Sequence, residues 1–126
     1  MGERGVTLVE LMVAMLLLAV ALIGLAASFP FSMYAVTDGG RQTVATNLAL
    51  EIIEQAKRTS YAALPDLAAA RGTVAGFDGF EREVVVEAYN PGANPCADCT
   101  SVTVRVFFTG QQGEVVTTIS TIFSGS

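Results

Sequence analysis

The stretch VTLVELMVAMLLLAVALIGLAASF, residues 6–29, contains one charged side chain, that of Glu10. As an α-helix with a rise of about 1.5 Å per residue, it would be roughly 36 Å long, enough to cross the ~30 Å hydrocarbon core of a bilayer. Much of the chain's apolar content lies in this run. A chain of 126 residues has room for such an anchor and one small domain. We therefore predict a membrane-spanning helix at 6–29 and a head at 30–126.

Glu10 argues against a plain anchor and against a cleaved secretory signal. An acid inside a membrane helix costs about 2.5–3.5 kcal/mol and usually marks a functional contact. The apolar run is also too long for a signal peptide, although residues 26–28 (Ala-Ala-Ser) would be a passable cleavage site. Cleavage after Gly5 would instead give Val6 a free amine four residues before Glu10, on the same face of a helix. Amine and carboxylate could then each neutralise the opposite group on a neighbouring chain.

The segment GVTLVELMVAM, residues 5–15, resembles the cleavage and methylation signature of type IV prepilins, G-F-T-L-x-E. The positions that match are Gly5, Thr7, Leu8 and Glu10, whereas Val6 replaces the usual phenylalanine. The resemblance implies that residues 1–5 are a leader and that a prepilin peptidase cuts between Gly5 and Val6. It also implies methylation of the new Val6 amine, which keeps its charge. In assembly, Glu10 would pair with the Val6 amine of a neighbouring subunit.

A second helix is predicted at about 41–60, after weak points at Pro30 and at Asp38-Gly39-Gly40. Its apolar residues recur at helical spacing and form one stripe, wide enough to pack on a sheet: Val44, Ala45, Leu48, Ala49, Ile52, Ile53 and Ala56. Residues 61–78, rich in alanine and glycine, are interpreted as a loop.

Alternating apolar residues in the last third of the chain predict antiparallel strands within 79–124. Strands in GFEREVVVEAY, SVTVRVFF and EVVTTISTIF follow one another through turns, so we expect a meander in which Arg105 faces acids of the first strand. The predicted fold class is α+β: a long N-terminal helix whose outer half packs on a small antiparallel sheet of three to four strands. This order resembles the type IV pilin fold, and the head is most similar to V-class minor pilins or to I-type pseudopilins of type II secretion.

Cys96 and Cys99 lie in the turn between the first two predicted strands. A metal site would need further ligands, and the chain has no histidine. A redox pair would be expected at the start of a helix in a βαβ unit. A structural disulfide fits best, because the head would lie outside the inner membrane in an oxidising space.

Composition and resemblance together predict a structural subunit, with no catalytic site, cofactor or metal. Twelve acidic residues against seven basic ones give no strong signal for nucleic-acid binding. The resemblance implies a minor pilin or pseudopilin, stored as a single-pass inner-membrane protein with its head in the periplasm and then assembled into a filament at the cell surface. Its expected partners are the prepilin peptidase, other pilin subunits and the inner-membrane assembly platform. The alternatives are a type II secretion or competence pseudopilin, a membrane-tethered binding or adhesion module, and an enzyme on a stalk.

The mass of the intact protein from the cell envelope tests the leader and the methylation together. We expect the loss of residues 1–5 and the gain of one methyl group, because both follow from the same motif. Mass spectrometry of the full-length envelope form measures both changes. A protein that retains Met1 in cells with an active prepilin peptidase would contradict the prediction.

Overall fold

The structure is a computed structural model that describes residues 5–89 and 98–125. Helix α1 spans Leu8–Arg58 and a 3₁₀-helix spans Tyr61–Leu67. Four strands follow, and their bounds are β1 Ala69–Val74, β2 Phe77–Ala88, β3 Cys99–Gly110 and β4 Gly113–Ser124. The chain forms two compact units, Met1–Thr37 and Asp38–Ser126.

In the first unit, every residue from 5 to 37 is exposed. An 18-residue window of α1 has a mean hydropathy of 2.7, and among the described helices only α1 is long and apolar enough to cross a membrane. Pro30 lies inside the helix, which continues through it. The serine hydroxyls on either side of the proline donate to main-chain carbonyls one turn earlier: Ser28 Oγ to Gly24 O at 2.9 Å and Ser32 Oγ to Ser28 O at 3.2 Å. The predicted weak point is therefore helical in this structure.

The second unit is built on the predicted helical stripe. Six of its residues are buried: Ala45, Leu48, Ala49, Ile52, Ile53 and Ala56. They share one apolar core with the inward-facing residues of the strands. The prediction that this stripe packs on the sheet is confirmed.

The sheet is antiparallel, with its strands in the order β1-β2-β3-β4, so the predicted meander is also confirmed. Its inner face buries one set of alternating residues: Val84, Val102, Val104, Val106, Phe108 and Thr117. The Thr117 hydroxyl is the one buried polar side chain of the described core, and Gln42 Nε2 donates to it at 3.0 Å. This bond satisfies the hydroxyl, which would otherwise be costly to bury.

The interpretation of residues 61–78 as a loop was wrong. Leu64, in the 3₁₀-helix, is only 1% exposed and belongs to the core. Strand β1 is an edge strand whose pairing with β2 shifts between Ala69 and Gly72 and again between Thr73 and Val74. Because most of its residues are exposed and small, β1 lacks the alternating pattern that identifies a half-buried strand.

Replacing Leu64 by alanine tests whether the connection is part of the core. We expect Leu64→Ala to lower the free energy of unfolding of the head by about 3 kcal/mol, because a buried leucine leaves a cavity when truncated. Leu50→Ala is the matched control, since Leu50 is 42% exposed on α1, and it should change the free energy by under about 1 kcal/mol. Calorimetry of the detergent-solubilised full chain measures both values. Equal effects of the two substitutions would contradict a core role for Leu64.

Candidate assembly site

The N-terminal end of α1 is capped by Thr7. The carbonyl of Thr7 accepts the first helical hydrogen bond, from Leu11 N at 3.1 Å. Its side-chain Oγ1 accepts a hydrogen bond from Glu10 N at 3.3 Å. These two bonds define an N-cap residue, and the sequence Thr-x-x-Glu is that of a capping box. The match to G-F-T-L-x-E therefore has a structural consequence at Thr7, which the sequence analysis did not assign.

Glu10 lies in the first turn of α1 and is exposed. A carboxylate is favoured there because the unpaired N–H groups of the helix start carry partial positive charge. Among the described residues, no side chain forms an ion pair with Glu10. A cationic partner, if the carboxylate is to leave water, has to come from elsewhere.

Gly5 and Val6 lie before the helix, in a non-helical and exposed segment. The peptide bond between them is therefore accessible in the uncleaved chain. Because α1 begins at Leu8, Val6 is not on the helix. In the uncleaved chain the Thr7 cap starts the helix two residues after Val6, and a shared helical face of Val6 and Glu10 after cleavage stays a prediction.

Within the second unit, two polar contacts that the sequence did not suggest join α1 to the end of the β3–β4 hairpin. Asp38 Oδ2 accepts from the backbone N–H of Gln111 at 3.4 Å, and Arg41 Nη1 donates to the carbonyl of Thr109. Thr109 lies near the end of β3, and Gln111 lies in the turn between β3 and β4. Gly39 and Gly40 are helical, so the second predicted weak point is a regular part of α1. It lies between Asp38 and Arg41, the two residues that make these contacts.

The outer face of the sheet, opposite α1, carries an ion-pair network centred on Arg71. Arg71 Nε donates to Glu81 at 2.5 Å, and its Nη2 donates to Glu114 on β4. The guanidinium lies 3.9 Å from the centroid of the Phe107 ring, over which it reaches across the sheet. The two carboxylates, Glu114 first and then Glu81, raise the pKa of Arg71 above its ordinary value. The predicted contact of Arg105 is confirmed by its ion pair with Glu83 at 3.1 Å.

On the exposed side of α1, Glu54 pairs with Lys57 at 2.7 Å. The hydrogen bond and charge of Lys57 lower the pKa of the Glu54 carboxyl. Both side chains are more than half exposed, so the pair is an ordinary solvated contact.

The predicted disulfide is only partly within the described chain. Cys99 is the first residue of β3, whereas Cys96 lies outside the described residues. The described part of the chain contains no free cysteine, and the pairing of Cys96 with Cys99 stays a prediction. Within the same residues, no group of three or more potential ligands could hold a metal ion.

Comparison with protein families concerns the N-terminus. Residues 1–26 match the family model of the prokaryotic N-terminal methylation motif. The chain carries a prepilin signal. The match includes the Thr7 cap, Glu10 and most of the apolar run, and it does not extend to the head. No curated protein and no solved structure matches the chain.

A prepilin signal followed by this architecture is type IV pilin-like. The long helix Leu8–Arg58 precedes a four-stranded antiparallel sheet, as expected from the sequence. The helix is long and apolar enough to fit membrane association, and the motif implies processing by a prepilin peptidase.

Substitution of Thr7 tests the cap. Thr7→Ala removes the oxygen that accepts from Glu10 N–H, and we expect the start of the helix to lose about 1 kcal/mol of stability. The amides of the first turn should then exchange with solvent several-fold faster, as measured by NMR in detergent micelles. Thr7→Ser keeps the oxygen and should behave as the wild type. Unchanged exchange in Thr7→Ala would show that the cap does not hold the helix start.

Proposed function

We propose that this protein is a minor pilin or pseudopilin, a structural subunit of a type IV pilus-like filament. The observation that carries the proposal is the prepilin signal at residues 1–26, joined to a helix whose first thirty or so residues have no partner within the described chain. Cleavage between Gly5 and Val6 frees the Val6 amine, which is methylated. The head remains in the periplasm while the subunit waits in the inner membrane.

The apolar half of α1 supports a filament core. Its large side chains between Leu8 and Val36 are between 52% and 79% exposed. Burying these side chains in a bilayer removes them from water, which is favourable by about 1.5–3 kcal/mol for each large side chain. Moving them from lipid into a bundle of neighbouring helices gains little more, because lipid tails are as apolar as leucine. Packing and polar contacts must then supply the preference for the filament.

Glu10 supplies the polar contact. In lipid, its carboxylate costs about 2.5–3.5 kcal/mol at the centre of the membrane, and less near the end of a helix. Pairing with the Val6 amine of a neighbouring subunit removes that cost and gains attraction in a medium of low dielectric constant. Because the pair is found only at one axial offset between two helices, it also fixes how far each new subunit is inserted.

The partners follow from this route of assembly. The prepilin peptidase removes the leader, an inner-membrane platform moves the subunit out of the bilayer, and other pilin subunits receive it. A type II secretion or competence pseudopilin would use the same N-terminal chemistry. The head distinguishes among these machines through the subunits that it contacts.

Neutralising Glu10 tests the proposal. A tagged Glu10→Gln subunit, expressed together with the untagged wild type, should be about tenfold or more under-represented in sheared filaments. The uncharged glutamine costs less in lipid and cannot form an ion pair with the amine, so the gain on assembly is smaller. Quantitative mass spectrometry of the filament fraction measures the incorporation.

Glu87→Gln is the matched control, because Glu87 is an exposed glutamate of the head, and it should be incorporated as the wild type is. The mass of each membrane form confirms that both variants lose the leader. Incorporation of Glu10→Gln at the level of Glu87→Gln would favour a helix that only tethers the head, as in a membrane-anchored binding module.

A further inference from the structure

Strand β4 forms one edge of the sheet. It pairs with β3 over twelve consecutive residues, from Cys99↔Ser124 to Gly110↔Gly113, without a bulge. The opposite edge is β1, which has six residues and two shifts of register. The two edges therefore differ: β4 is long and regular, whereas β1 is short and irregular.

One main-chain hydrogen bond shows which backbone groups of β4 point away from β3. Gly125 N donates to Asp98 O at 2.8 Å, so this pair is a hydrogen-bonded one. In an antiparallel ladder, hydrogen-bonded and non-hydrogen-bonded pairs alternate. The Arg105↔Thr118 pair is an odd number of steps away, so Thr118 directs its N–H and C=O away from β3. The same holds for Glu114, Val116, Ser120 and Ile122, and no described residue pairs with their backbone groups.

A bond between β2 and β3 supports this assignment independently. Tyr89, the residue after β2, donates its N–H to Cys99 O at 2.8 Å. The backbone groups of the odd-numbered residues of β3 therefore point toward β2. Arg105 is one of them, so its backbone groups are unavailable to Thr118. Five consecutive outward positions of β4 thus offer unpaired backbone groups at regular spacing.

Proteins usually protect such an edge with lysine, proline or a bulge, because it can pair with another chain. Strand β4 contains no lysine and no proline, and its single charge, Glu114, is at one end and already bound to Arg71. Two of the residues whose backbone groups point away from β3 have large apolar side chains: Val116 is 45% exposed and Ile122 is 47% exposed. Thr118 and Ser120 lie between them. The edge fits an uncharged extended strand with apolar residues six positions apart.

We propose that the free edge of β4 binds an extended strand from a different subunit of the filament, which adds a fifth strand to the sheet. The proposal rests on the function proposed above. The bound segment contributes main-chain hydrogen bonds along the edge and places apolar side chains against Val116 and Ile122.

A second copy of this chain fits the edge less well. Two copies joined through β4 would be related by a twofold axis perpendicular to the sheet. Their chains would then enter the two heads at Asp38 from opposite directions, whereas subunits anchored in one membrane enter from the same direction. Strand β1 of a second copy is short, and its bulges interrupt the regular spacing that β4 offers. A strand from a different subunit meets neither restriction.

A synthetic peptide tests the edge directly. The probe is VVTTISTIF, the uncharged residues 115–123 of β4, with lysines added outside this segment at both ends for solubility. Because the peptide has no head and no anchor, it can lie antiparallel to β4. The peptide residue that corresponds to Ile122 then lies opposite Val116, and the one that corresponds to Val116 lies opposite Ile122. We expect the detergent-solubilised full chain to bind it and the amide exchange of Thr118 to slow on binding.

Thr118→Pro removes one outward N–H and should weaken peptide binding by about tenfold or more. Its melting temperature should stay near that of the wild type, since β3 does not use this N–H. Thr118→Ala keeps the N–H and is the matched control, expected to bind as the wild type does. Val116→Pro, with Val116→Ala beside it, repeats the test at a second outward position.

Three results would overturn the proposal. One is the absence of peptide binding to the wild type, and another is binding without slowed exchange at Thr118. The third is a homodimer in native membranes, detected by cross-linking and lost in Thr118→Pro, which would assign the edge to a second copy. The peptide measurement needs no filament, so its failure would leave the result for Glu10→Gln unaffected.

Discussion

The packing of one stripe of α1 on one face of the sheet is the interaction on which the head depends. Ala45, Ala49 and Ala56 are almost fully buried, and they share one apolar core with the valines of β3. The strands that flank β3 complete this surface, and the 3₁₀-helix adds Leu64 to it. Without the stripe, the apolar inner face of the four-stranded meander would be exposed to water, and the head would have no core.

The part of α1 that lies in the first compact unit has no such packing. From residue 5 to residue 37 nothing in the described chain covers it, and the exposed surface is apolar on all sides. A helix of this kind is stable only where its surroundings are also apolar, which means lipid or other helices. The prepilin signal and the capped, acidic first turn lie at the free end of that segment. The membrane storage and the assembly into a bundle that we propose would each provide such surroundings.

The two proposed assembly contacts differ in their physics. The contact at Glu10 is a charge pair in an apolar medium, so it is strong but recognises any subunit that presents an amine at the correct offset. The edge of β4 offers directional main-chain hydrogen bonds together with two apolar side chains, Val116 and Ile122, at a fixed spacing. Of the two proposed contacts, the edge of β4 is therefore the one with the geometry to discriminate among partners.

The sequence by itself determined the features whose signal is local. A long apolar run, a motif around Glu10, a helical stripe and alternating strands each appear within one stretch of chain, and they sufficed for the α+β class, the meander and the ion pair of Arg105. Strand β1 was missed because it is exposed, bulged and poor in apolar residues, so that its pairing with β2 decides its conformation. Some contacts join residues distant in the chain: the hydrogen bonds of Asp38 and Arg41 to the end of the β3–β4 hairpin, and the ion pair of Arg71 with Glu114 beside the Phe107 ring. Only the tertiary structure decided these contacts and the free edge of β4, because they depend on which elements become neighbours.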